Sequence, residues 1–390
     1  MALKTWIGGA AAGSQIDEVT VGGTIATNDV FNILIATDVI ATYTAVGGDG
    51  ADEVSQGLVS AWNASGNPLG SPITAADISA ASVGTLTLTA DTAGVPFTAT
   101  VTKTSSGGTI AISTTAENYG PNDWNTLANW DSLTLPVVND DVLIQGSSSI
   151  LYGLDQSSVT LNDLTVRNYS GNIGSPGDPL QVDLGTSDKL MIDSTGTTYL
   201  SVTGSGAASI DCEVSNTGGG ATAGLFLASP DLSTLTVNRG SVALGTDPGD
   251  TTTQVTELQI NYITSQSGDA IVTVGPDVTL ATLHMTGGSC TLQGAVTTIQ
   301  NQGGAIRTEG SGAITTATIY SGSLVSNSTG TIGTLNLNGG NADFTQTRTS
   351  RTVTTLNMTG SSQLMLDTSV VTLTNDIAVS GLAQLTASEL

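Results

Sequence analysis

The sequence predicts a mainly β protein, in which a small α+β domain precedes a right-handed parallel β-helix (a solenoid). Three observations lead to this prediction. Only 11% of the 390 residues are charged, and Gly, Ser and Thr stand where helical proteins carry Lys, Glu and Arg. Aliphatic residues recur two positions apart through the carboxy-terminal two thirds. Short Leu-x-aliphatic phrases repeat there, each followed by Gly, Ser or Asn.

The length of the chain favours two domains or one elongated repetitive body, because 390 residues exceed what one compact core usually holds. We divide the chain into four segments. Residues 1–13 are an amino-terminal strand, which we expect to belong to the cap of the β-helix. Residues 14–118 form the α+β domain, and residues 119–146 form a Trp-containing cap. Residues 147–390 form the parallel β-helix.

The amino-terminal domain combines strand patterns with one helix pattern. Two alternating runs within residues 20–45 predict a hairpin. Val54, Leu58 and Trp62 recur at i, i+4 and i+8, which is the apolar stripe of an amphipathic helix over residues 51–65. Three further segments return to strand patterns: 84–90, 95–102 and 109–114. The sequence therefore predicts an α+β domain with a single helix.

The segment "NDWNTLANWDSLTLPVVNDDVLIQG", at 122–146, predicts a cap. The first coil of a parallel stack has an open edge and an exposed apolar end, which bulky rings can close and a proline can protect from further pairing. The residues assigned to this packing are Trp6, Trp124, Trp130 and Pro136. Asp140 and Asp141 are interpreted as turn residues, with cation binding as the alternative.

The β-helix prediction depends on the phrase "LNLNGG", at 335–340, and its variants. Positions i and i+2 of each copy face inward, and each copy makes one short strand of a coil that also holds a second short strand and two turns. The predicted core positions are Leu283, Met285, Ile299, Ile319, Leu335, Leu337, Leu356 and Met358, with Asn301 as a polar exception. An array of β-sandwiches is the alternative, since no propeller blade motif or GGxGxD tandem is found.

The charge balance excludes some partners. The chain has 33 acidic residues against eight Lys and Arg, a formal net charge of -25, which repels phosphate backbones and anionic membranes. We expect no direct nucleic-acid binding, no membrane span and no ordinary secretion signal. Solubility is the main interpretation of the acids, with binding of divalent cations or a basic partner as the alternative, so metal binding stays open. No cofactor motif is found.

Candidate chemical groups are few. Cys212 and Cys290 lack metal-site spacing and are expected as buried thiols. His284, the sole histidine, lies between inward-facing neighbours and is expected to be an exposed surface residue, and no second histidine is present for a triad. Arg348 and Arg351 are expected to serve local pairing or a subunit contact.

A cluster of carboxylates between 180 and 215 is the remaining candidate for catalysis. Paired acids on one face would suit glycoside cleavage. The members of the cluster are Asp183, Asp188, Asp193, Asp211 and Glu213. No aromatic platform for a sugar accompanies them, because Tyr199 is the nearest ring, so we expect plain solvation and predict that the protein is not an enzyme.

Several stretches resemble proteins of tailed bacteriophages. The pattern W-x5-W followed by P-x3-DD resembles the opening of bacterial and phage β-helix proteins, in which a T-W-x-G-G segment stands a short gap before the paired tryptophans. In this chain "KTWIGG" stands at 4–9 and its continuation only at 124, so the resemblance implies that the α+β domain is inserted in the amino-terminal lead-in of the β-helix. "VGGTIATNDVF" and "LTLTADTAGVPFTATV" resemble a small module of tailed-phage virion proteins. "NSTGTIGTLNLNGG" and "RTVTTLNMTG" resemble phage proteins encoded among head and structural genes.

The resemblance implies a structural virion protein, namely a non-enzymatic decoration, cement or projecting spike on the capsid surface, with adhesion as a further role. It implies a major capsid protein or another virion protein as partner, and a homotrimer, since symmetric shells favour symmetric attachments. The alternatives are a tail spike or fibre that recognises host polysaccharide, and a bacterial β-helix surface adhesin.

Overall fold

The computed structural model describes residues 2–79, 84–104, 107–175, 178–183, 189–195, 200–212, 224–229, 231–247, 253–261 and 270–388. The chain forms two compact units, Met1–Gly8 with Leu127–Leu390, and Gly9–Thr126. It therefore leaves the first unit after Gly8 and returns to it at Leu127.

The predicted fold class is confirmed. The protein is mainly β, with 56% strand and 5% helix, and a parallel β-solenoid of about nine turns spans residues 141–387, with small sheets before it. The strands up to residue 116 are β1 Leu3–Trp6, β2 Ile16–Gly23, β3 Val30–Ile35, β4 Asp38–Thr44, β5 Ile73–Asp77, β6 Gly84–Ala90, β7 Ala99–Thr104 and β8 Gly108–Ala116.

The described residues of the unit Gly9–Thr126 form two antiparallel sheets and one helix. The sheets have the strand orders β5-β6-β2-β8 and β4-β3-β7. Helix α1, Ala51–Ala64, begins where the Gly50 N–H donates to Glu53 Oε2 at 2.8 Å, and it buries Val54, Leu58 and Trp62 in the core of the unit.

The remaining strands follow a 3₁₀ turn at Leu127–Asn129. They are β9 Asp141–Gly146, β10 Asp155–Leu161, β11 Asp163–Tyr169, β12 Asp178–Asp183, β13 Lys189–Thr195, β14 Ser201–Cys212, β15 Leu225–Leu227, β16 Leu232–Leu244, β17 Gln254–Ile260, β18 Ala270–Val274, β19 Thr279–Met285, β20 Ser289–Leu292, β21 Ala295–Thr308, β22 Ile314–Ser326, β23 Ile332–Leu337, β24 Asn341–Asp343, β25 Arg351–Met358, β26 Gln363–Asp367, β27 Val371–Leu373, β28 Ala378–Val379 and β29 Gln384–Ser388. β12 and β13 form a separate antiparallel pair.

Strands of successive turns pair in parallel and in register, so equivalent side chains stack in columns. Leu283 of β19, for example, pairs with Leu258 of the preceding turn and Ile299 of the following turn. Two neighbouring inward columns are Leu235, Leu258, Leu283, Ile299, Ala317, Leu335 and Leu356, and Val237, Ile260, Met285, Asn301, Ile319, Leu337 and Met358. The alternating Leu-x-aliphatic pattern thus fills a continuous buried interior.

Four described turns differ from the expected pair of short strands. β14, β16, β21 and β22 each run through a corner as one strand of 12 to 14 residues. In β21 the pairing register shifts after Asn301 and again before Ala305, so the strand bends inside the ladder instead of ending.

A second kind of corner depends on glycine. A Cβ atom added to Gly312 would lie 2.1 Å from the carbonyl oxygen of Gly294, and one added to Gly330 would lie 1.9 Å from that of Gly312. Each glycine therefore lets its turn approach the backbone of the turn before it.

Candidate functional site

The cap is built around the first strand of the solenoid. β1 pairs in parallel with β9, from Leu3 with Asp141 to Trp6 with Ile144. Residues 129–131 cover its other edge: the Ile7 N–H donates to Asn129 O at 2.8 Å, and the Asp131 N–H donates to Thr5 O at 3.0 Å. This edge of the stack is therefore closed by backbone hydrogen bonds.

Two tryptophans pack within the cap. The rings of Trp6 and Trp130 are fully buried and meet edge to face, with centroids 5.3 Å apart and planes at 79°. Trp6 Nε1 also donates to Ser148 O at 3.2 Å. Such aromatic pairs contribute about 0.5–1.5 kcal/mol beyond the area they bury.

The other two predicted cap residues lie elsewhere. Trp124 is buried, and it belongs to the unit Gly9–Thr126, so the two tryptophans of the W-x5-W pattern fall in different compact units. Pro136 is buried in the segment before β9. The edge of β1 is covered by residues 129–131, and not by this proline.

The carboxylate of Asp140 stabilises the first turn of the solenoid through hydrogen bonds to the backbone. Its Oδ1 accepts the Ala2 N–H at 2.9 Å, and its Oδ2 accepts the Val137 N–H at 3.2 Å. Asp141 Oδ1 accepts a hydrogen bond from Asn162 Nδ2 at 2.6 Å. Backbone donors thus occupy both oxygens of Asp140, as in a turn residue.

All eight predicted core residues of the solenoid are at most 2% exposed. Asn301, the polar exception, is also fully buried. Its Oδ1 accepts the N–H groups of Gly303 at 3.1 Å and Gly304 at 2.8 Å, and its Nδ2 donates to Gly304 O at 3.0 Å and Ser323 O at 3.3 Å. The amide therefore satisfies the bent backbone and joins two turns.

The prediction of an exposed His284 is wrong. Its side chain is half-buried, and its buried Nε2 makes no hydrogen bond within the described part of the chain. His284 faces outward as expected, but Gln259 and Gln300 occupy the same register in the adjacent turns. Strands about 4.8 Å apart bring these side chains against both sides of the ring.

Several predicted groups cannot be placed. Asp188 and Glu213 lie outside the described residues, as do the side chains of Asp183, Asp193, Asp211, Tyr199 and Cys212. Cys290 is free and buried in the solenoid interior, where desolvation raises the pKa of its thiol. Across the described ranges, no group of three or more His, Cys, Asp or Glu could hold a metal ion, and no helix is long and apolar enough to cross a membrane.

Arg351 fastens a loop of the solenoid. It is 3% exposed, donates to Thr347 O at 2.6 Å and to Thr349 O at 3.1 Å, and lies 6.0 Å from the centroid of the Phe344 ring. Burial lowers the pKa of its guanidinium, against the opposing effect of Asp367 and Asp343. Arg348 is exposed.

The sequence analysis missed one recurring acidic motif, Asp-x-Ser/Thr. In each copy the carboxylate accepts hydrogen bonds from the backbone N–H and the hydroxyl of the residue two positions on. The copies are Asp77–Ser79, Asp155–Ser157, Asp343–Thr345 and Asp367–Ser369. The spacing alone could have indicated these turns, which give part of the acidic excess a structural role.

These bonds hold the pKa of each carboxyl below its ordinary value. At Asp367 and Asp155 the hydroxyl bond is the largest cause, followed by the backbone bond. At Asp77 and Asp343 burial acts first and raises the pKa, but the hydrogen bonds outweigh it. Arg351 lowers the pKa of Asp343 and Asp367 further.

No family model, curated protein or solved structure matches the chain. The described residues form a capped parallel stack, in which buried polar groups such as Asn301 join adjacent turns.

Proposed function

We propose that this protein is a structural component of a tailed-phage virion, a non-enzymatic decoration, cement or projecting spike on the capsid surface. The observation that carries the proposal is the parallel ladder, which begins at β1 and continues turn by turn to β29. A ladder of this kind makes a stiff body out of one chain.

The mechanical role follows from the stacking. About nine turns with a strand spacing near 4.8 Å give a body about 40 Å along its axis. Every turn contacts only its neighbours, so the stability is approximately the sum of the stabilities of the turns and of the interfaces between them. The interior columns exclude water, and the acidic exterior, from a net charge of -25, favours repulsion between particles.

The proposed partners are the major capsid protein or another virion protein, and two further copies of the chain. The resemblance of the sequence to phage head proteins supports the first, and the symmetry of viral shells supports a trimer. The expected location is the capsid surface.

The test is the copy number and position of the protein on purified virions. Quantitative mass spectrometry should find many copies per particle, and gold-labelled antibodies should bind the head. Particles that lack the gene are the control for antibody specificity. A few copies confined to the tail tip, or none in the particle, would overturn the proposal.

Recognition of a host glycan is the second candidate, as in a tail spike or fibre. A cleft of about 310 Å³ in the unit Gly9–Thr126 favours it, since Asn63, Asn67 and Asp91 border the cleft and present amides and a carboxylate to a ligand. Binding to arrayed host polysaccharides that Asp91→Asn abolishes would support this function. Release of reducing ends from the polysaccharide would show an enzyme instead.

A further inference from the structure

Asn338 is the only asparagine in the sequence that is followed by glycine, within the "LNLNGG" phrase. It lies at the corner between β23 and β24, and its side chain is exposed. We propose that Asn338 is a modification site, at which the backbone nitrogen of Gly339 displaces ammonia from the side-chain amide.

The local geometry favours this reaction at both reacting groups. Asn338 Oδ1 accepts a hydrogen bond from Thr359 Oγ1 at 3.1 Å, which draws electrons from the amide carbon and makes it a better electrophile. The Gly339 N–H makes no hydrogen bond within the described residues, so no bond has to break before the nitrogen attacks. Glycine also has no side chain to hinder the approach.

The fold requires the glycine of this pair. Gly339 has a φ of +147°, and a Cβ atom there would lie 2.8 Å from Tyr320 O of the preceding turn. A residue with a side chain cannot occupy the position without moving that backbone. The susceptible pair is therefore a by-product of stacking the corner closely.

The reaction needs water and no oxidant or reductant. The deprotonated Gly339 nitrogen forms a bond to Asn338 Cγ, the bond from Cγ to Nδ2 breaks, and the leaving nitrogen takes up a proton to depart as ammonia. Water then opens the cyclic imide at one of its two carbonyl carbons. One opening gives aspartate, and the other gives isoaspartate, in which the backbone runs through Cβ and Cγ.

The two products should differ in their effect on the solenoid. Aspartate keeps the backbone length, and its oxygen can still accept the Thr359 hydroxyl. Isoaspartate adds one carbon to a corner of three residues, 338–340, fixed on one side by Leu337 against Met358 and on the other by Asn341 against Gln363. Because β24 has only three residues, we expect isoaspartate to displace it.

The experiment ages the purified full chain at mildly alkaline pH and quantifies products by peptide mass spectrometry and enzymatic isoaspartate methylation. Asn327, followed by Ser328, is the internal comparator, because both polar atoms of its side chain are buried. Asn338 should convert at least an order of magnitude faster than Asn327, and in the Asn338→Gln variant the peptide that contains residue 338 should lose its methylation signal.

Thermal unfolding separates the two products. Aged protein that carries isoaspartate should have a lower melting temperature than fresh protein. The melting temperature of the fresh Asn338→Asp variant should be close to that of fresh unmodified protein. Conversion of Asn338 no faster than that of Asn327 would overturn the proposal. This measurement uses the unmodified sequence, so it does not depend on the folding of a variant.

Discussion

Single polar residues decide where the solenoid bends and how its turns are fastened. Asn301 interrupts an apolar column between Met285 and Ile319, and all its hydrogen bonds go to the backbone. The sequence marked it as an exception but gave no reason. The reason depends on the carbonyl of Ser323, which belongs to the next turn, so it could not be predicted from the local pattern.

Replacement of Asn301 by leucine should destabilise the solenoid although it completes the apolar column. The half-buried residues Gly303 and Gly304 would lose the acceptor of their backbone N–H groups, and the loss of an acceptor for a fully buried group costs about 1–3 kcal/mol. We expect a decrease of about 2–4 kcal/mol in the free energy of unfolding, measured by urea denaturation. The control is Ile319→Val in the same column, with an expected cost of about 1 kcal/mol. A neutral Asn301→Leu would contradict the assignment.

The Asp-x-Ser/Thr turns should make the protein sensitive to acid. The folded pKa of Asp343 and of Asp367 lies below the unfolded value, so the unfolded chain binds more protons. Their contribution to stability is complete above the ordinary Asp pKa, about 3.9, and is lost as the pH falls through the lower folded pKa.

We therefore prepare the double variant Asp343→Asn/Asp367→Asn. As the pH falls from about 4 to about 2, its free energy of unfolding should decrease less than that of the unmodified chain. Urea denaturation across this range measures the slope. Asp376→Asn is the control, because Asp376 is exposed and accepts no hydrogen bond among the described residues. Equal slopes in all three proteins would refute the role of the turns.

At the scale of strands and corners, the sequence predicts that inward-facing strands are present better than it predicts the residues at which those strands begin and end. The i, i+2 spacing of Leu335 and Leu337 was sufficient to identify an inward-facing strand, because side chains alternate along every strand. It could not show that β21 continues through its corner, since that depends on the register between adjacent turns. The sequence likewise could not show that residues 129–131, and not Pro136, cover the edge of β1, because those contacts join segments far apart in the chain.

The glycine corners give a prediction at this scale. Gly312→Ala should destabilise the solenoid by about 1–3 kcal/mol, because the new methyl group would press on Gly294 O and force adjacent turns apart. Thermal unfolding of the variant measures the effect. Ser311→Ala is the matched control, since Ser311 is exposed and precedes the glycine directly. Equal destabilisation by both changes would show that the close approach is unimportant.

At the scale of the solenoid, the two ends differ. The β1 end is closed by residues 129–131 and by the Trp6–Trp130 pair. The last described turn has no such cover among the described residues, and Leu382 is 81% exposed and Val379 52% exposed there. The sequence predicted a cap at the β1 end, but it could not predict which backbone groups close that end, because these contacts join residues far apart in the sequence.

Hydrogen exchange should reveal the difference between the ends. A solenoid opens most easily where a turn has one neighbour instead of two. We therefore expect the amides of β28 and β29 to exchange first, those of β1 and β9 later, and those of β19 to β22 last. Mass spectrometry of deuterated peptides checks the order. Exchange of β1 ahead of β29 would contradict the proposed cap.

The pairing of β1 with β9 also has a consequence for biosynthesis. Ala2 and Asp140 are joined by a hydrogen bond at the start of this pairing, and they are 138 positions apart in the sequence. At about 5–20 residues per second, a ribosome needs roughly seven to thirty seconds to make that interval. β1 cannot pair until β9 has been synthesised. If the unit Gly9–Thr126 folds during that interval, the chain between β1 and β9 becomes a shorter effective loop, so closing it costs less conformational entropy. Folding of Gly9–Thr126 would then set the time at which the first turn of the solenoid assembles during synthesis.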